Sequence, residues 1–144
     1  MGWWYFEDQK VRGYIDDAMN KNAVYQPIDN QLAYAWNYLY NLRGRIDPDD
    51  DNRELAAAEH YMYARWQVCS GSTNETVMRI LTLGYDPVKA LGNFPIVFII
   101  RKVAGHSWSR PSTDSLRWGF RGCNDGAADA RRITPDPDAR PLPG

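Results

Sequence analysis

The chain has 144 residues, 44% of them hydrophobic and 24% charged, with a formal net charge of −1 at pH 7. This is enough for one domain with a core, and the near-neutral balance gives no general pull toward nucleic acid or an anionic membrane. Met1-Gly2-Trp3-Trp4-Tyr5-Phe6 runs straight into Glu7-Asp8 without a basic-then-apolar signal, and the apolar run Phe94–Ile100 is too short to cross a bilayer.

Helical periodicity accounts for most of the chain. Val11, Tyr14, Ile15 and Ala18 share one face of a helix predicted over Glu7–Met19, weakened by Gly13. A loop over Asn20–Gln26 follows. Pro27 and Asp29 open a second helix near Asn30–Arg43. Its stripe of Leu32, Ala35, Trp36, Leu39 and Leu42 is continuous, and Gly44 is its expected stop. The acidic loop Asp47–Asp51 leads into a third helix from about Asn52 to Val68. Leu55, Ala58, Glu59, Met62 and Trp66 share a face there, and Ala56–Ala58 permit a close neighbour. Ser70-Gly71 ends it.

Ser72-x-x-Glu75 has the form of a capping box ahead of Val77, Ile80 and Leu81, with Gly84 ending a fourth helix. Asp86-Pro87 begins a single turn that closes at Gly92. The apolar run Ile96–Val103 fits a buried strand or a buried helix. The Asn93-Phe94-Pro95 start, the Gly105 stop and the want of a partner strand favour helix. Pro111-Ser112-Thr113-Asp114 opens a last helix on which Leu116, Gly119, Phe120, Cys123, Ala127 and Ala130 recur. Gly119 and Gly126 on or beside that face imply contact with another helix; the alternative is a break at Gly122–Gly126. TPDPDARPLPG from Thr134 is too Pro-rich to pack. The expected architecture is a single compact all-α domain of five to six helices over residues 1–133, with a flexible, disordered tail over 134–144.

Six Trp and nine Tyr are expected to serve mainly as packing bulk, with some lining a groove or interface. Cys69 and Cys123 lie in neither a C-x-x-C nor a zinc-ligand spacing, so buried free thiols are favoured over a disulfide.

Three clusters carry titratable groups. Asp47, Asp49 and Asp51 match the start of an EF-hand loop. Asn52 then stands where the turning Gly belongs and Ala58 where the bidentate Glu belongs, so no metal site is expected. Glu59-His60 is the second, with Arg53 and Glu54 close before it. A carboxylate on an apolar face must be paired or raised in pKa, and a histidine titrates near neutrality, which suits a catalytic base. The bland reading makes Glu59 an ion-pair residue. The third is His106-Ser107-Trp108-Ser109-Arg110, a base, hydroxyls and a cation ahead of a helix N-terminus. Glu59, His60 and His106 are therefore the candidate catalytic residues, and Arg53, Glu54, Trp108 and Arg110 the candidate binding residues. Cys69 as a nucleophile would need His60 or His106 nearby. No H-E-x-x-H, G-x-S-x-G, Gly-rich phosphate loop or dinucleotide fingerprint occurs, so no cofactor is expected.

The runs DDNRELAAAEHYMYAR, LGYDPVKAL and RPSTDSLRWGFRGCNDG, spanning about Asp51–Gly126, resemble small C-terminal domains of bacterial polymorphic toxins and of effectors that travel with type VI secretion. The resemblance implies an antibacterial effector or its cognate protein, and transfers no catalytic residue set. The expectation is a small soluble effector or toxin-like domain, with hydrolysis as the chemistry of a Glu59/His60/His106 cleft. The alternative is a non-enzymatic immunity protein or adaptor whose contact surface is aromatic and acidic. The expected partner is a protein (cognate immunity protein, chaperone or carrier), with no nucleic acid and no stable membrane span. The expected location is the cytoplasm where the chain is made, with export open only to a signal-peptide-independent system. A membrane-active effector inserting Phe94–Val103 is disfavoured by the short apolar run.

Overall fold

The computed structural model describes residues 6–45, 53–83 and 113–133. They form α1 (Asp8–Lys21), α2 (Ile28–Arg45), α3 (Arg53–Cys69), α4 (Glu75–Thr82) and α5 (Thr113–Ile133), with no strand among the described residues. The expected all-α single domain is the fold observed. The acidic loop Asp47–Asp51, the turn over 86–92, the apolar run Ile96–Val103 and the tail 134–144 lie outside the described residues.

The centre of the molecule is α3, which packs against each of the other four helices. Thirteen of its 17 residues are buried, including Glu54, Glu59, His60 and Gln67. A helix enclosed on all sides needs no polar face, so α3 has little one-sided apolar character, unlike the surface helices around it.

On one side α2 runs antiparallel to α3 and supplies the aromatic core. Trp36 lies 5.5 Å from Tyr40, 5.8 Å from Tyr63 and 5.6 Å from Trp66, centroid to centroid. Trp36, Tyr40, Tyr61, Trp66 and Trp118 are all buried. The exposed large apolar side chains among the described residues are instead aliphatic: Val24, Val77, Ile80, Leu81, Leu83 and Ile133. The aromatic surplus is thus packing bulk here, and the aromatic contact surface expected of a binding protein is not found among these residues.

On the other side α5 runs parallel to α3 along a seam of glycines. A Cβ on Gly119 would stand 2.6 Å from Thr82 Cγ2 and 3.1 Å from His60 Nε2. One on Gly126 would stand 2.6 Å from the Arg65 carbonyl oxygen, and one on Gly122 would penetrate the Tyr61 carbonyl oxygen. The expected close approach is therefore real, and Gly122 belongs to it as well. The helix is unbroken through Gly122–Gly126, which removes the alternative of a break.

Two sequence expectations need correction. Ser72 does not cap α4. Its hydroxyl pairs with that of Ser70 at 2.9 Å, and Asn74 is the N-cap, its side chain accepting from the Val77 amide at 2.8 Å. Asn competes on equal terms with Ser for this position, and here it sits one residue before the first helical turn. Gly44 does not stop α2, which continues through Arg45. Cys69 and Cys123 are free and buried, as expected.

Candidate functional site

Adjacent positions on α3 point about 100° apart, so Glu59 and His60 enter different neighbourhoods. Glu59 is 0% exposed and faces α2, where Arg43 Nη1 donates to Oε1 at 2.7 Å. Its Oε2 has no hydrogen-bond partner among the described residues. Burial pushes the Glu59 carboxyl upward, and the Arg43 charge and hydrogen bond pull it only partly back. Tyr40 is close enough that burial and the Glu59 charge push its phenol up to about 12.

His60, 1% exposed, faces the other way, beside Thr82 of α4 and Gly119 of α5. Burial pushes its imidazole down to about 4, and a bond to the Thr82 backbone offsets this only in part. At neutral pH it is an uncharged ring inside the bundle.

The other expected site residues divide similarly. Glu54 is buried and accepts the Glu7 backbone amide at 3.0 Å, tying the start of α1 to α3. Arg53 is half-buried at the start of α3. His106, Trp108 and Arg110 lie outside the described residues. Burial pushes the Cys69 thiol up to about 11 and raises that of Cys123, which makes both poor nucleophiles. Glu59 and His60 thus share a helix but no cleft.

A site that the sequence did not single out lies on the remaining side. A cleft of about 390 Å3 between α1, α3 and α5 is lined by Arg12, Ile15, Asp16, Tyr61, Arg65, Trp118, Arg121, Asn124 and Asp125. Its floor is Trp118, whose Nε1 donates to Asp8 Oδ1 at 3.0 Å. Arg117 bonds both Asp8 oxygens, at 3.0 and 3.3 Å, and holds that carboxyl below the usual range. Tyr61 meets Trp118 edge-on at 5.8 Å. Its hydroxyl donates to Asp125 at 2.6 Å and accepts from Arg65 at 3.2 Å, while Arg65 Nε donates to Asp129 at 2.5 Å.

Two further cations rest on the same indole. The Arg121 guanidinium carbon lies 4.4 Å from the Trp118 ring centroid and that of Arg12 lies 5.3 Å away, both within cation–π range. Neither forms an ion pair among the described residues, and Arg121 Nη1 is shut off from solvent without an acceptor there. Arg12 comes from the polar side of α1, and Arg121 follows Trp118 by one turn on α5. An Arg-Trp-x-x-Arg pattern is visible as Arg117-Trp118…Arg121, but only the packing of α1 on α5 adds Arg12.

Burial raises the Tyr61 phenol, and the Asp129 carboxylate holds Arg65 more firmly protonated. No group of three or more metal-ligating side chains occurs among the described residues, and none of their helices is long and apolar enough to cross a membrane. No protein-family model, no curated protein and no solved structure matches the chain.

Proposed function

We propose that this chain is a non-enzymatic binding domain of a bacterial effector system, an immunity-type protein or adaptor that engages a protein partner through the cleft between α1, α3 and α5. The observation that carries this reading is the division of labour around α3. Glu59 and His60 are enclosed on different sides of it, whereas two guanidinium groups of the cleft, Arg12 and Arg121, lie on the Trp118 ring. Trp, Tyr and Arg are the residue types that dominate binding energy at protein interfaces. The bacterial-effector context rests on the resemblance of the residue runs above. It is consistent with a domain that works in the cytoplasm or leaves by a signal-independent route.

A hydrolytic effector would need Glu59 and a histidine in one water-filled cleft. The experiment that separates the two readings expresses the full chain alone and together with the product of the neighbouring gene. A binding domain is expected to co-purify in fixed stoichiometry with that product and to leave growth unaffected when expressed alone. Growth arrest by the chain alone, lost in Glu59→Gln at an unchanged melting temperature, would establish the enzyme instead.

A further inference from the structure

Among the described helices α4 is the shortest and buries the fewest residues. Its eight residues fall below the about 12–15 that an isolated helix needs, so it persists only through its contacts. Met78 and Thr82 are buried, Met78 against Ala64, Val68 and Cys123, while Val77, Ile80 and Leu81 face outward. Arg79 bonds Asn124 of α5 at the surface, and its ion pair with Glu75 is internal to the helix. The rest of the bundle closes without α4. Tyr61–Asp125, Arg65–Asp129 and the seam of Gly122 and Gly126 hold α5 to α3, and Asp8 holds it to α1.

The joint between α3, α4 and α5 encloses His60. The ring is 1% exposed and is bonded to the backbone of Thr82, the last residue of α4. A Cβ on Gly119 of α5 would stand 3.1 Å from its Nε2, so the ring abuts α5 with no space for a water between them. Among the described residues no counter-charge faces it. From α2 the Arg43 cation opposes a charge on the ring. From α4 comes the uncharged Thr82, and from α5 the Cys123 thiol, 3.9 Å beyond the Thr82 hydroxyl. On α3 itself, Glu59 points away toward Arg43.

We propose that His60 is a proton-operated latch: when the ring takes up a proton, α4 leaves the bundle and admits water to it, while α1, α2, α3 and α5 stay packed. This device does not depend on what the cleft binds. Burial holds the enclosed ring at about 4, against an ordinary value of about 6.5. The undocked form, with the ring hydrated, therefore binds the extra proton and gains as the pH falls. The bond to Thr82 favours the charged ring, but burial outweighs it. From pH 7 to pH 5 the undocked form should gain about twentyfold over the docked one. Undocking uncovers Ala64, Val68 and Cys123, which α4 shields through Met78.

The test is native-state hydrogen exchange of the full chain at pH 7 and pH 5, each rate divided by that of the denatured chain at the same pH. The amides of 78–82 are expected to be less protected than the slowest amides of α2, because α4 opens by itself. They should lose about twentyfold of that protection at pH 5. A thiol reagent, with rates normalised in the same way, should reach Cys123 sooner than Cys69, which lies in the main core. His60→Asn should flatten the pH dependence of both readouts, and His60→Gln takes its place if the Asn variant does not fold. Protection of 78–82 equal to that of the slowest α2 amides would overturn the latch, since α4 would then open only with the whole molecule. So would equal protection of α4 at the two pH values, or an undiminished loss in a folded His60 variant. The comparisons of α4 with α2 and of Cys123 with Cys69 are made on the unaltered chain, so they decide the matter even if neither variant folds.

Discussion

Glu59 and His60 are neighbours in the chain with opposite electrostatic problems. Both are deprived of water, so each is driven toward its neutral form: the carboxyl upward, the imidazole down to about 4. For His60 the folded pKa lies below the unfolded value of about 6.5, so the unfolded chain binds the extra proton. Its contribution is intact above pH 6.5 and is lost as the pH falls toward 4. Between pH 7 and pH 5 this loss should reach about 2 kcal/mol. His60→Asn should remove that slope, as read by urea denaturation at the two pH values; an unchanged slope would show that His60 is not its source. Glu59 acts in the opposite sense, because a raised folded pKa favours the folded state as the pH falls. Its pair with Arg43 should also be asymmetric. Arg43→Met leaves a charged carboxylate in the interior and should cost about 3 kcal/mol, whereas Glu59→Gln leaves a neutral amide beside a cation that can still reach water and should cost about 1 kcal/mol. Equal losses would mean that Glu59 is already protonated in the folded chain at neutral pH.

At the scale of the element, glycine has two opposite meanings in this chain. Gly13, in the middle of α1, has nothing within 4 Å of where a Cβ would sit. Gly13→Ala should therefore stabilise the protein by about 0.5–1 kcal/mol, the helix-propensity difference alone. Gly122 lies against the Tyr61 backbone, where even one methyl group has no room. Gly122→Ala should destabilise by about 2 kcal/mol despite the same propensity gain, because backbone cannot move aside as a flexible side chain can. Thermal or urea melts of the two variants should move in opposite directions, and a shared direction would refute the close packing of α5 on α3. The sequence made part of this legible. The apolar stripes of α1 and α2 and the glycines of α5 follow from periodicity, since one-sided burial leaves a one-sided pattern. The surroundings of α3 did not follow. A helix covered all round shows no stripe, so Glu59 and His60 read as a carboxylate on an apolar face and a candidate base for one cleft rather than as groups enclosed on different sides. The cleft was illegible for a related reason, since Arg12 and Arg121 are far apart in sequence and meet only through Trp118.

At the scale of the molecule, the helix that carries four of the eight buried polar residues among those described is covered last. The Tyr61–Asp125 and Arg65–Asp129 contacts between α3 and α5 each span 64 residues. A chain growing at about 5–20 residues per second therefore exposes α3 on its α5 side for several seconds before its cover is made. Through that interval His60 remains hydrated and free to take up a proton, and the surface around Ala64 that the α5 glycines cover is open to the wrong neighbour. A chain ending before Thr113 should show this state at equilibrium, with reduced helicity, binding of a hydrophobic dye and a tendency to aggregate. A cooperative thermal transition in that truncated chain would show instead that α1–α4 fold without α5. For a protein made this way, the vulnerable moment lies on the ribosome, and a companion that shields α3 at birth would matter more to its yield than any change to the finished surface.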